Sequence, residues 1–371
     1  MLPPRFLRRL IFAPLVFLIT IAALVLSPLL LLVALVAAPS RSGRRRALRL
    51  IWFALAWLVM ESLALVACLG LWIASGFGGR LRTEASMDRH YGLVRWFLAT
   101  LYRQALRVFR LKVEIEEPPA TPEELAARLT RPVIVLSRHA GPGDSFLLVH
   151  HLLSLYRRKP RIVMKAALQF DPSLDVVINR LPHAFVRPHR PVPAPRPVPD
   201  QARAVQTEPP TSSAVIDEIR RLASGLGPAG ALVIFPEGGN FTPSRRRRGI
   251  NQLEESRRYD EARRARGMAN LLPPRSGGAF AAIDSAPTAD VIFVAHTGLD
   301  DLVTVGDVWR ALPMEQIIKA KWWRVPAADI PRDRDEMVRW LYDWWERIDL
   351  WIAENRPART PLPPRRIQRR S

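Results

Sequence analysis

The 371-residue sequence contains a single cysteine, Cys68. One thiol cannot close a disulfide within the chain or form a cysteine cluster around a metal ion, so both kinds of scaffold are excluded. Cys68 lies in an apolar stretch, where a packed and unreactive thiol is expected. The adjacent His150 and His151 would project in different directions from a helix, so we predict no metal site.

Several common catalytic motifs are also missing. No G-x-S-x-G stretch occurs, so Ser137 and Ser145 lack the usual setting of a serine nucleophile. No Walker loop occurs, and the G-x-G at residues 141–143 has no third glycine at the spacing of a dinucleotide-binding turn. These absences leave a chain without a recognisable protein nucleophile and without a nucleotide-cofactor motif.

Acidic residues are scarce relative to basic ones. The chain has 34 Asp plus Glu against 55 Lys plus Arg, a formal net charge of +21, which suggests an anionic partner such as nucleic acid or a membrane surface. The basic segment 244–267 has Tyr259 as its only aromatic residue and contains no stacking module, which argues against nucleic acid. We therefore expect its arginines to meet lipid phosphates, the alternative being a solvated helix face.

Two long apolar runs stand at the N-terminus. Residues 10–39 contain no charged residue, and residues 50–79 contain only Glu61. Each run exceeds the ~20 apolar residues that a membrane-crossing helix needs. A signal peptide has a shorter apolar region and no second run directly after it. Residues 1–80 are therefore predicted to be membrane-associated helices.

The arginines around these runs bear on the orientation of the helices. Basic clusters precede the first run, separate the two runs and follow the second. Two full spans would carry the middle cluster across the membrane, against the positive-inside tendency. Helices lying in the interface, or hairpins turning near Ser27 and Pro28, would keep all three clusters on one side. We expect such shallow or re-entrant insertion, with the following domain on the cytoplasmic face.

Residues 81–355 have the composition of a soluble domain. Apolar positions at helical spacing over 91–113 predict an amphipathic helix that links the membrane to this domain. Predicted strands then alternate with predicted helices, which indicates an α/β fold. The strands are 132–137, 161–165, 183–187, 231–237, 290–296 and 317–323, and the helices are 144–158, 212–225 and 333–354. A proline-rich stretch, 188–210, is predicted to be an extended insertion, and 356–371 a basic tail.

A histidine and an aspartate follow the first predicted buried strand in the stretch SRHAGPGDSF, residues 137–146. Two glycines between them could let Asp144 fold back onto the ring of His139. A carboxylate that accepts one ring N–H fixes the tautomer and leaves the other nitrogen to take a proton from a hydroxyl. Asp144 could equally be only the N-cap of the next helix. This segment alone does not separate the two interpretations.

The stretch FPEGGNFTPSRRR, residues 235–247, follows another predicted strand. With the H-x4-D of residues 139–144 it resembles the glycerolipid acyltransferases, the lysophosphatidic acid acyltransferase family, whose corresponding motif is F-P-E-G-T-R. LLPPRSGGAF at 271–280 and two later stretches, IIKAKWWRVPAADIP and MVRWLYDWWERIDL, also resemble segments of that family. The resemblance covers roughly residues 90–355. It implies an acyltransferase domain built on a mixed sheet flanked by helices.

The resemblance also implies an activity and a set of site residues. An acyl group would move from acyl-CoA or acyl carrier protein to the free hydroxyl of lysophosphatidic acid, giving phosphatidic acid, with no metal or other cofactor. His139 would be the general base and Asp144 its partner. The implied substrate-binding residues are Arg187, Glu237, Gly238, Gly239 and Asn240.

The sequence departs from the family pattern at several positions. Gly239 and Asn240 stand where threonine and arginine are usual, which removes one expected phosphate-binding cation. Arg138 precedes the histidine where asparagine is common, and the stretch IFVAH lacks a proline of the fourth family motif. Arg187, Arg245 or Arg246 could replace the missing charge. The alternatives are another lysophospholipid or a glycolipid as acceptor, or a non-catalytic membrane adaptor.

Overall fold

The computed structural model describes residues 3–37, 41–119, 121, 130–186, 213–300 and 305–357. Arg187 and the proline-rich stretch 188–210 lie outside the described residues, as does the basic tail from residue 358 onward. The predictions made for them therefore stay predictions.

Each N-terminal apolar run forms one continuous helix. α1 spans Arg5–Ala37 and α2 spans Arg41–Ala74. By length and composition, both are long and apolar enough to cross a membrane. The predicted hairpin turn at Ser27 and Pro28 is wrong, because α1 continues through both residues. Pro28 lacks an N–H for the carbonyl of Leu24, and the Ser27 hydroxyl donates to that carbonyl instead, at 2.7 Å.

α2 packs lengthwise against α3, the helix Glu84–Phe109. Phe53 of α2 meets Phe109 with ring centroids 4.8 Å apart. At one end of α2, Arg46 donates to the carbonyl of Leu312 at 2.7 Å. At the other end, the carbonyl of Cys68 accepts from Arg180 at 2.7 Å. Both ends of this apolar helix therefore contact the folded domain.

α3 is the predicted amphipathic helix, displaced towards the N-terminus. Thr83 caps its start by accepting from the Ser86 N–H, and the helix ends at Arg110, which has a left-handed φ of 54°. The strand β1, Lys112–Glu116, follows directly and was not predicted. Its exposed lysine and glutamates alternate with two half-buried apolar residues, so only a short amphipathic pattern marks this edge strand.

Six described strands follow β1: β2 Val133–Ser137, β3 Lys159–Lys165, β4 Ala184–Val186, β5 Gly230–Ile234, β6 Asp290–Thr297 and β7 Ile317–Val325. Together with β1, these described strands form one seven-stranded mixed sheet in the order β1-β7-β6-β2-β5-β3-β4. All neighbouring strands are parallel except β6 and β7. The predicted mixed α/β fold and its six predicted strands are confirmed, with their ends shifted by a few residues.

Helices cover both faces of the sheet. Among them, α11 (Arg334–Asn355) packs on β6 through Trp345, which is fully buried, and through Trp344, which stacks on Phe293 at 4.7 Å. The basic segment 244–267 forms most of the two helices α7 (Pro243–Glu255) and α8 (Tyr259–Gly267). The described helices after α3 are α4 Pro142–Ser154, α5 Pro172–Ile178, α6 Ser213–Ser224, α7 Pro243–Glu255, α8 Tyr259–Gly267, α9 Ser276–Ser285, α10 Val305–Ala311 and α11 Arg334–Asn355.

Candidate active site

The two central strands bring the two sequence motifs together. β2 and β5 are neighbours, parallel and buried along their whole length. Their carboxyl ends therefore meet at one edge of the sheet, where open α/β sheets hold their ligands. His139 lies two residues after β2, and Glu237 lies three residues after β5. The backbone N–H of His139 donates to the Glu237 carboxylate at 3.1 Å, so the two loops are in direct contact.

His139 and Asp144 form a hydrogen-bonded pair. The ring Nδ1 of His139 lies 3.0 Å from Oδ2 of Asp144 and 3.2 Å from Oδ1. An Nδ1–H that donates to the carboxylate leaves Nε2 unprotonated and able to accept a proton. The His139 ring packs against Phe235 with centroids 4.6 Å apart, which restricts its orientation. Its side chain is 16 % exposed, so a substrate can reach it.

The carboxylate of Asp144 also holds the first turn of α4. It accepts backbone N–H bonds from Ala140 at 2.7 Å, Gly141 at 3.1 Å and Ser145 at 2.6 Å. The N-cap position itself belongs to Gly141, so Asp144 is the third residue of the helix. Burial favours the neutral acid, but the hydrogen bond from His139, the nearby imidazoles and the N–H donors hold the pKa of Asp144 at about 2.

Glu237 joins the histidine loop to the loop before α9. One carboxylate oxygen accepts from His139 N–H, and the other accepts from the N–H of Leu272 at 3.2 Å. The residue is 3 % exposed. Burial raises the pKa of Glu237 to about 8, against the charge of Arg138 and the two N–H donors. Its carboxyl group is thus turned into the protein, where it positions backbone.

A cavity of about 270 Å³ opens beside Glu237, Gly238 and Gly239. Gly238 has a φ of +66°, which favours glycine, and a Cβ there would lie 3.2 Å from the guanidinium carbon of Arg275. A Cβ on Gly239 would lie 2.8 Å from the guanidinium of Arg245. Both glycines therefore let an arginine approach the backbone. The cations that line this arginine-lined cavity are Arg245, Arg248, Arg258 and Arg275.

Comparison with known proteins identifies the domain. The family model described as Acyltransferase matches residues 110–297, just over half of the chain. The chain belongs to the acyltransferase family. No curated protein matches it, and no solved structure matches it. The match includes the histidine pair, the Glu237 loop and the arginine-lined cavity, so these features belong to an acyltransferase domain.

Two of the arginines proposed to replace the missing family cation differ in their surroundings in this acyltransferase. Arg245 is exposed, lies over Gly239 and donates to the carbonyl of Asn240 at 3.1 Å. Arg246 instead donates to three carbonyls at the end of α8, those of Ala265, Arg266 and Met268. Its charge is therefore occupied within the protein.

Sequence reasoning missed four residues of the acyltransferase site. Arg275 lies in the stretch LLPPRSGGAF, and its N–H donates to the carbonyl of Pro236 at 2.9 Å, which brings its side chain to Gly238. An arginine directly after two prolines was the available signal. Behind the His139–Asp144 pair lie the buried Arg138 and the partly buried His296 and Asp300. Of these three, only Arg138 was noticed, as a departure from the family pattern.

Proposed function

We propose that this acyltransferase moves a fatty acyl group from an acyl thioester to the free hydroxyl of lysophosphatidic acid, giving phosphatidic acid. The observation that carries the proposal is the arginine-lined cavity, whose lining residue Glu237 accepts from the backbone N–H of His139. A phosphate monoester needs several cations, and arginine binds it through charge-assisted and often paired hydrogen bonds. The thioester donor is acyl-CoA or acyl carrier protein.

The chain's residues fit a direct transfer. Nε2 of His139 takes the proton of the acceptor hydroxyl as its oxygen attacks the thioester carbonyl. Asp144 keeps the ring in the required tautomer and stabilises the imidazolium that forms. The carbon–sulfur bond then breaks, and His139 returns the proton to the departing thiolate. The ester and a free thiol are the products, and no other reagent is consumed.

One backbone amide suits the oxyanion of the tetrahedral intermediate. The N–H of Gly141 is already bound to Asp144. Gly143 lies in the first turn of α4, where a backbone N–H has no acceptor within the helix itself. A helix N-terminus favours negative charge, so we assign the Gly143 amide to the oxyanion.

The acceptor phosphate is assigned to Arg245 and Arg275. Each guanidinium lies against one glycine of the Glu237 loop, and neither side chain forms an ion pair with a described carboxylate. Arg248 adds a third cation to the same cavity. These arginines supply the charge that Asn240 does not. Arg187, outside the described residues, stays a predicted phosphate ligand.

We propose that α1 and α2 lie in the membrane interface. Arg46 and Cys68 are ~33 Å apart along α2, about the thickness of the hydrocarbon core, and both contact the domain. A spanning α2 would pull the domain into the bilayer with it. Most exposed large apolar side chains lie on α1 and α2, so these two helices carry the apolar surface that a leaflet would cover. The domain would then face the cytoplasm, where the acyl donors are.

The proposal is tested by assaying the purified chain with labelled acyl-CoA against a panel of lysolipids. Lysophosphatidic acid should be the best acceptor. Arg275→Ala and Arg245→Ala should each raise the KM for lysophosphatidic acid by ~10-fold or more, with little change in the KM for acyl-CoA, because each removes a charge-assisted bond to phosphate. Arg263→Ala is the matched control, since Arg263 is 76 % exposed on α8 outside the cavity. An enzyme that ignores lysophosphatidic acid and acylates a neutral or glycosylated lysolipid would contradict the proposed acceptor.

A further inference from the structure

A buried ion pair lies directly behind the catalytic histidine. Arg138 precedes His139 and is 1 % exposed, and its guanidinium lies 2.6 Å from Oδ1 of Asp300. Asp300 is held in turn by the Thr297 hydroxyl at 2.7 Å and the Gly298 N–H at 2.9 Å. A buried guanidinium is stable only with such a partner. The pair thus fixes the segment after β6 against the segment that carries His139.

His296 connects this ion pair to the catalytic carboxylate. Arg138 donates through its guanidinium to the His296 carbonyl at 2.6 Å. The ring Nε2 of His296 lies 3.3 Å from the Arg138 carbonyl and 3.8 Å from Oδ2 of Asp144. The two residues therefore bond to each other in both directions, and the ring is aimed at the pair that carries out the chemistry.

The surroundings of His296 favour a neutral ring with its proton on Nε2. The charged or titratable groups that face the ring are Arg138, Asp144 and Asp300. Burial, helped by the charge of Arg138, lowers the pKa of His296. An Nε2–H can donate to the Arg138 carbonyl while its positive end points towards Asp144. With the proton on Nδ1 instead, the lone pair of Nε2 would face both the Arg138 carbonyl oxygen and Oδ2 of Asp144, which would repel it.

We propose that His296 is a positioning residue of the acyltransferase site, whose Nε2–H holds the backbone before His139 and shares the carboxylate of Asp144. This role rests on the proposed function, in which His139 is the general base. Asp144 already accepts from the His139 ring and three backbone N–H groups. One more N–H near Oδ2 spreads the carboxylate charge further and limits how strongly Asp144 attracts the proton of the His139 ring.

The test compares His296→Ala, His296→Gln and His296→Asn in the full chain. A glutamine amide can reach the position of Nε2 and donate from there, whereas an asparagine amide reaches only the position of Nδ1. His296→Ala and His296→Asn should lower kcat by about 10-fold, because the backbone before His139 loses one hydrogen bond that holds the base in place. The KM values for both substrates should change little, because His296 does not line the arginine-lined cavity. His296→Gln should keep most of kcat.

The pH profile separates positioning from a purely structural role. Without the His296 donor, Asp144 should stabilise the His139 imidazolium more strongly, and the acidic limb of kcat/KM should move to higher pH in His296→Ala. His296→Gln should keep the wild-type limb. A limb that does not move, together with equal losses for the glutamine and asparagine variants, would overturn the proposal. Melting curves of each variant report whether the chain is folded.

A parallel His139→Ala variant distinguishes the two possible failures. If His139→Ala is inactive and His296→Ala matches the wild type in kcat and pH profile, the positioning role is wrong and the proposed function stands. If folded His139→Ala stays active, the proposed base is wrong, and the positioning role that depends on it is overturned too. The assay uses acyl-CoA and whichever lysolipid the panel shows to be acylated fastest, so it does not depend on the acceptor's identity.

Discussion

At the scale of single residues, Asp144 performs two tasks that the sequence presented as alternatives. Its carboxylate holds three backbone N–H groups at the start of α4 and also accepts from the His139 ring. A carboxylate has two oxygens with several lone pairs, so the two tasks do not compete. The side-chain amide of an asparagine at position 144 would keep only one acceptor oxygen. Its N–H₂ group would face some of the N–H donors that the carboxylate now binds.

The two members of the pair should respond differently to substitution. His139→Ala should abolish acyl transfer with little loss of folding, because losing a general base costs about 10²–10⁴-fold in rate. Asp144→Asn should lose activity and also some stability, since it disturbs both the ring and the helix start. Steady-state kinetics and melting curves of the two variants test this. Near-wild-type turnover in folded His139→Ala would contradict its assignment as the base.

Glu237 predicts a pH-dependent contribution to stability. Its folded pKa of about 8 lies above its ordinary value of 4.5, so the folded chain keeps a proton that the unfolded chain releases between these values. The free energy of unfolding therefore falls as the pH rises from 4.5 to about 8, by about 1.4 kcal/mol for each pH unit. Melting temperatures in detergent should fall more steeply over this range for the wild type than for Glu237→Gln. Glu218→Gln, an exposed carboxylate on α6, should follow the wild type; parallel curves for all three proteins would contradict the prediction.

At the scale of elements, the arginine run that begins α7 is not one uniform basic surface. Thr242 caps the helix and accepts from the N–H of Arg245. Because a helix turns by about 100° per residue, consecutive arginines point in different directions. Arg245 and Arg248 face the arginine-lined cavity, and Arg246 faces the end of α8.

This division predicts different effects of substituting neighbouring arginines. Arg246→Ala should lower the free energy of unfolding by ~1–3 kcal/mol, because carbonyls at the end of α8 lose a charged donor. Arg247→Ala, the adjacent control, should change it by less than ~0.5 kcal/mol, since Arg247 is exposed and its side chain forms no hydrogen bond or ion pair with a described residue. Denaturant unfolding of the two variants measures both values. Equal destabilisation would show that the run acts as a unit.

At the scale of the whole molecule, polar contacts fasten the apolar helices to the domain. Arg8 of α1 is buried and bonds to Asp175 of α5 at 2.5 Å, and Glu61 of α2 accepts from the N–H and hydroxyl of Ser173. Such groups would be costly in a hydrocarbon core unless paired. Here the partner in each case belongs to the domain.

If α1 and α2 lie in the membrane interface, the start of α1, the start of α2 and the segment after α2 should all lie on the same side of the membrane. Single cysteines would replace the exposed Arg5, Arg45 or Arg82 in a Cys68→Ala background. In sealed proteoliposomes, digestion by added protease first establishes that the domain faces outward. A membrane-impermeant maleimide should then label all three introduced cysteines. Labelling of Arg5→Cys and Arg82→Cys but not Arg45→Cys would show that both helices span the bilayer instead.

Local patterns predicted much of the fold. The strands β2, β5 and β6 are nearly continuous apolar runs, because strands buried on both faces need apolar side chains throughout. The edge strand β1 escaped prediction because an edge strand has little apolar surface to bury. The hairpin predicted at Ser27 and Pro28 was wrong because α1 continues through Pro28, where the Ser27 hydroxyl donates to the Leu24 carbonyl that the proline leaves without a backbone N–H.

The sequence by itself determined the alternation of strands and helices, the apolar N-terminus and the H-x4-D pair, since each depends on residues close together in the chain. Only the tertiary structure decided which arginines are available for a phosphate and which are engaged by carbonyls. It also decided that Glu237 faces inward and that His296 reaches Asp144. These facts depend on side chains that meet across distant loops, and a distance in space between residues far apart in the chain is not encoded in any local pattern.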